Sequence, residues 1–151
     1  MPATNKGRRY NYFACEARSK IRSNPLIHMV RILIADDHDG VRLAIKNILL
    51  DEFPEVFIGE ASETQSLILK ATEEDWDVII SDLAMPGGGG VHALKLIHEV
   101  KPAVPVIIFS TYPPEQYEAR VVQAGATAFI SKDAPVTGLV RTVRRILGAR
   151  A

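Results

Sequence analysis

A single α/β domain, built on a five-stranded parallel sheet with helices on both faces, is the fold class this sequence predicts. From Val30 onward, short β-branched apolar runs alternate with longer amphipathic stretches, and five such units can be counted. Three of the runs are apolar almost throughout, as strands covered on both faces should be. At 151 residues the chain has the length of one compact domain.

The predicted strands are residues 31–35, 56–60, 78–81, 106–109 and 128–130, the second and fifth being the least clear. After the first strand, Val41, Leu43, Ala44, Ile45, Ile48 and Leu49 mark one face of a crossover helix that Phe53-Pro54 closes. The second helix is expected after Ser62, where Ser62 through Gln65 reads as a capping box, and runs through Leu67, Ile68 and Ala71 to the acidic residues 73–75. Trp76, beside a strand, reads as packing rather than a ligand platform. A run of four glycines, Gly87 to Gly90, precedes the third helix, with Val91, Leu94, Leu96 and Ile97. The fourth helix covers residues 114–123 and ends at Gly125 in a left-handed cap. The last covers 137–147, with Leu139, Val140, Val143, Ile146 and Leu147 inward and Arg141, Arg144 and Arg145 on a solvated face.

Composition excludes several classes. With 47% hydrophobic and 24% charged residues and a formal net charge of zero, the chain is neither a disordered nor a strongly nucleic-acid-attracting one, and direct nucleic-acid binding is not expected. No apolar run approaches the roughly 20 residues that span a bilayer, so no membrane role is expected. Residues 1–29 hold six Lys or Arg against Glu16 alone and show no sustained periodicity. They read as a basic, flexible extension before a domain of residues 30–151, with Met29 directly ahead of the first strand. A transit peptide is disfavoured for want of an amphipathic helix. The only cysteine, Cys15, cannot form an internal disulfide, which fits the cytoplasm.

Ligands of an open parallel sheet bind beyond the carboxyl ends of its strands. There the sequence places Asp36 and Asp37 after the first strand, Asp82 after the third, Ser110 after the fourth and Lys132 after the fifth. Taken singly, each reads as a cap, turn or surface residue. Together they form a chemistry. Three carboxylates in one crevice call for a hard cation, and oxygen ligands favour Mg2+. A carboxylate beside such an ion can attack phosphorus, with Lys132 neutralising the phosphoryl oxygens and Ser110 donating a hydrogen bond to one of them. His38 reads as a helix-start residue, not a metal ligand. Tyr112 reads equally as an exposed partner contact or as a ring covering nearby alanines.

The segments Ile-Ala-Asp36-Asp37-His38, Ser81-Asp82-Leu-Ala-Met85-Pro86-Gly87, Phe109-Ser110 and Ser131-Lys132-Asp133 resemble the signature set of bacterial response-regulator receivers, over about residues 30–147. The Asp-Asp-His opening and the Lys-Asp pair look most like the NarL/FixJ-like subfamily, whose members commonly add a DNA-binding domain. The resemblance implies a CheY-like, flavodoxin-like doubly wound (βα)5 fold. It implies Asp82 as phosphoacceptor, with Mg2+ held by Asp37 directly, by Asp36 largely through water, by Asp82, and by the Ala84 backbone carbonyl. It further implies Ser110 and Phe129 as the switch pair, Lys132 as a phosphoryl contact, and output through the fourth helix, fifth strand and fifth helix. The implied partners are a sensor histidine kinase or phosphotransfer protein upstream, and an effector protein or a second copy downstream. The four-glycine run leads to the expectation of a loosened loop and faster loss of phosphate.

Such a chain is a switch with self-directed phosphotransfer and dephosphorylation, not a metabolic enzyme. Three rivals stand beside it: a pseudo-receiver that is never phosphorylated, an aspartyl-nucleophile phosphatase, and the receiver part of a longer DNA-binding regulator. The intact acidic, Ser and Lys set argues against the first. Against the second, no cap domain is present to hold a substrate. The chain ends almost with the last helix, so output is expected from the domain's own surface unless the gene continues.

Overall fold

A computed structural model describes residues 29–149. The expectations for residues 1–28, among them the basic extension and Cys15, lie outside the described residues. Five strands, β1 (Val30–Ala35), β2 (Val56–Ala61), β3 (Val78–Ser81), β4 (Val106–Ser110) and β5 (Ala128–Ser131), alternate with α1 (Asp39–Glu52), α2 (Thr64–Glu73), α3 (Gly90–Val100), α4 (Pro114–Gln123) and α5 (Thr137–Gly148). All pairings are parallel, in the order β2-β1-β3-β4-β5. The doubly wound α/β class is therefore the one observed.

The strand order explains the strand patterns. Of the twelve largest fully buried side chains, seven come from the central strands: Ile32, Leu33, Ile34, Ile79, Ile80, Ile107 and Ile108. Successive side chains on a strand face opposite ways, so each central strand must be apolar on both. Leu33, Ile79 and Ile108 join Leu67, Leu94, Ile97 and Val121 of α2, α3 and α4. Ile32, Ile34, Ile80 and Ile107 join Ile45, Leu49, Leu139, Val143 and Ile146 of α1 and α5. β2 and β5 are the edges and are only partly buried, which is why their sequences read less clearly.

Several local expectations need correction. Leu43 and Ala44 do not belong to the buried face of α1, and Leu43 is 56% exposed. Ile45 and Leu49 define that face, and at 100° per residue position 43 lies well away from it. The Ser62 capping box does not form: α2 starts at Thr64 after an extended Glu63 that makes no side-chain cap. The Thr64 N–H donates to the Pro86 carbonyl, so the loop after β3 satisfies one of the free amides at the start of α2. Ser110 is the last residue of β4, not the first beyond it. Trp76 is packing, as read: it is 4% exposed and its Nε1 donates to the Lys70 carbonyl at 2.9 Å.

Gly125, with φ 116°, closes α4 as expected, its N–H on Val122 and that of Ala126 on Val121. The glycine run is not merely free. Gly87, Gly88 and Gly89 hold φ of 96°, 119° and 83°, values that L side chains rarely adopt. Gly90 has an ordinary φ but no room, because a Cβ there would stand 2.4 Å from the Asp82 carbonyl oxygen. The expected effect of Gly90→Ala is a loss of about 1–3 kcal/mol from overpacking against backbone. Gly138→Ala, which meets nothing within 4 Å, should be neutral or stabilising by up to about 1 kcal/mol. Urea denaturation of the two variants checks the contrast, and equal effects would contradict it.

Candidate functional site

The chain turns one way from β1 to β2 and the other way to β3, so the crevice of the sheet opens between the ends of β1 and β3. Asp36 and Asp82 flank that point. Their backbones are fixed by the sheet ladder continuing past the strands: Asp36 N–H donates to Ala61 O and Asp82 N–H to Ala35 O. Both residues are buried, at 1% and 4% exposure. The Asp82 Oδ1 accepts the Leu83 N–H at 2.8 Å, and the Asp36 Oδ1 accepts the His38 N–H at 2.9 Å.

Lys132 follows β5, three strands from β1 and two from β3, yet its ammonium reaches across to Asp36 Oδ2 at 2.6 Å and Asp82 Oδ2 at 3.2 Å. Burial by itself would pull the pKa of this ammonium down. The hydrogen bond to Asp36 and the attraction of Asp82 and Asp36 override it, and the net result is a pKa above the ordinary lysine value. Asp37, with a side chain 31% exposed, completes the acidic group beside His38. One ligand atom from each of Asp36, Asp37, His38 and Asp82 lies within 4.8 Å of all the others. Three carboxylates against one ammonium leave an excess of negative charge. The carboxylates are hard oxygen donors, a set that fits Mg2+.

The remaining expected residues lie at the same end of the sheet but make other contacts. The buried Ser110 hydroxyl accepts the Tyr112 N–H at 3.1 Å, while the Ser110 carbonyl accepts the Lys132 N–H at 2.9 Å. Phe129 on β5 is partly buried against the core of α2, α3 and α4. Ala84, in the loop after β3, is exposed. The Tyr112 ring packs on Tyr117 of α4, with centroids 4.8 Å apart.

Two neighbours had been given no part in the site. His38 is indeed the residue that starts α1, but it makes no side-chain cap, and its Nδ1 stands 3.1 Å from both Asp36 Oδ1 and Asp37 Oδ1. Arg42 donates to the Asp36 carbonyl at 2.7 Å and also holds Asp39 and Glu60, tying the end of β1 to α1 and β2. An available signal was its place in the first turn of a helix, where a cation is unfavourable unless it has partners.

The raised pKa fixes the sign of a pH effect. The stabilisation contributed by Lys132 is fully present below the ordinary lysine pKa and is lost as pH rises through the higher folded value. Lys132→Met should cost about 3 kcal/mol near neutrality by leaving buried carboxylates without their counter-charge. In paired urea titrations the gap between wild type and variant should stay level below about pH 10 and close above it. A gap that widens with alkaline pH would refute the assignment.

A family profile described as response regulator receiver domain matches residues 32–144. The response regulator GacA of Pseudomonas viridiflava is 30% identical over 122 residues, covering 81% of this chain and 57% of the relative. The glycerol metabolism activator of Pseudomonas putida is 36% identical over 120 residues, covering 79% and 54%. The chain thus spans little more than half the length of these curated relatives. Among solved structures, the two-component response regulator of the LuxR family from Aurantimonas sp. superposes with a TM-score of 0.74 at 26% identity, over 80% of this chain and 86% of that one. The receiver domain protein from Methanospirillum hungatei gives 0.73 at 25% identity, over 80% and 95%. Among the described residues no helix is long and apolar enough to cross a membrane. By profile, relatives and fold, this chain belongs to the response-regulator receiver family.

Proposed function

We propose that the chain is a phosphorylation-activated switch of a cytoplasmic two-component system, with Asp82 as its phosphoacceptor. The observation that carries this reading is the Lys132 ammonium lying between the buried carboxylates of Asp36 and Asp82 at the opening of the sheet. A carboxylate oxygen of Asp82 attacks the phosphorus of a phosphohistidine, on a sensor kinase or a phosphotransfer protein, or that of a small acyl phosphate. As the new O–P bond forms, the bond from phosphorus to the donor's nitrogen or oxygen breaks and the donor leaves with that electron pair.

Lys132 stays charged throughout and offers its ammonium to the phosphoryl oxygens. Asp37, Asp82 and the Ala84 carbonyl would hold Mg2+ directly and Asp36 largely through water; when bound, the ion neutralises charge on the transferring group. The Ser110 hydroxyl leaves the Tyr112 amide for a phosphoryl oxygen, which reshapes the loop into α4. Phe129, which has no hydroxyl, turns inward by packing alone. An effector protein or a second copy of the chain then reads the surface of α4, β5 and α5, and hydrolysis of the acyl phosphate resets it.

Intact-protein mass measured after incubation with acetyl phosphate and Mg2+ should show one phosphoryl adduct. The adduct should be absent with EDTA and in Asp82→Asn. Failure to form it with several donors, together with no response to beryllofluoride, would leave an interaction module that is never phosphorylated.

A further inference from the structure

The peptide that joins Asp36 to Asp37 lies just past the end of β1, where the sheet ceases to set its orientation. A ladder bond still runs from the Asp36 N–H to the Ala61 carbonyl. The next polar group along the backbone, the Asp36 carbonyl, accepts instead from Arg42 Nη1 at 2.7 Å. The same guanidinium donates through Nε to Glu60 Oε1 at 3.2 Å and through Nη2 to Asp39 Oδ1 at 2.7 Å. Its three nitrogens thus grip the end of β1, the edge strand β2 and the first turn of α1, and the side chain is only 15% exposed. Asp37 has need of such a hold. The Asp36 carboxylate is fixed by Lys132 and by the His38 N–H, whereas the Asp37 carboxylate is paired with the His38 ring, a side chain 67% exposed.

Resting on the receiver reading, we propose that Arg42 is a positioning residue, which acts on the pocket through the backbone by holding Asp37 ready to take up Mg2+. A guanidinium is planar and carries its donors in a rigid fork, so partners on three elements leave it one place to stand. The peptide it holds is planar too, and fixing the carbonyl oxygen of Asp36 also fixes the Cα of Asp37. Charge argues in the opposite direction. A cation close to the acidic pocket opposes a divalent ion, so on electrostatics alone the loss of Arg42 would tighten Mg2+ binding. If Arg42 acts by position, its loss weakens that binding. The sign of the change therefore separates the two roles, and a purely structural role predicts a less stable fold with the affinity of the folded protein unchanged.

The test follows the backbone amide resonance of Asp37 in the full chain through a titration with MgCl2, in wild type, Arg42→Met and Arg42→Lys. Mg2+ should bind about tenfold more weakly to Arg42→Met, the scale on which groups that orient metal ligands act. Arg42→Lys, which keeps the charge but not the fork, should also bind more weakly than wild type, and it decides alone if Arg42→Met does not fold. With acetyl phosphate as donor, the slower adduct formation of either variant should recover as Mg2+ is raised to saturation. Mg2+ binding as tight as in wild type, or tighter, in the folded variants would overturn the role of Arg42 and leave the receiver reading standing. Wild-type protein that neither responds to Mg2+ nor takes up a phosphoryl group would overturn the receiver reading itself.

Discussion

The site depends on a single constraint: carboxylates that repel one another must share the opening between β1 and β3. At about 4 Å two like charges repel by about 4 kcal/mol at the effective dielectric near a protein surface. The Lys132 ammonium reduces that cost by bonding to two of the carboxylates at once. The remaining negative charge suits the site to cations and, once a cation is present, to a phosphoryl group. Repulsion retained in the folded state is thus what the proposed binding of a cation would relieve.

The same lysine joins the acidic pocket to the surface that would signal. Its backbone N–H is held by the Ser110 carbonyl, the Ser110 hydroxyl is held by the Tyr112 amide, and the Tyr112 ring rests on Tyr117 of α4. Each link is a specific contact rather than mere proximity. A change in what the Ser110 hydroxyl binds must therefore alter the loop that carries Tyr112, and with it the start of α4. On the other side of Asp82, the Pro86 carbonyl holds the first N–H of α2, so the loop after β3 is fastened to a neighbouring helix despite its glycines.

The sequence by itself determined the fold class and the positions of the charged residues at the strand ends. Three runs apolar on both faces can only be inner strands of a covered sheet, and a polar residue directly after such a run must lie at its carboxyl edge. That logic located Asp36, its neighbour Asp37, and Asp82 without a structure, because strand period and strand end are local properties, while Lys132 had only the less clear run of the edge strand β5 before it. Tertiary structure alone decided what those residues touch. The reach of Lys132 across to Asp36 depends on β5 lying three strands from β1 in the same sheet, which no local pattern encodes. The Thr64 amide finds its partner in a loop more than twenty residues away, a contact that no local pattern encodes. Arg42 reaches Glu60 of β2 for the same reason: a side chain's partners across elements are set by which elements meet in space, and sequence spacing reports only those within one element, as for His38 beside Asp36 and Asp37.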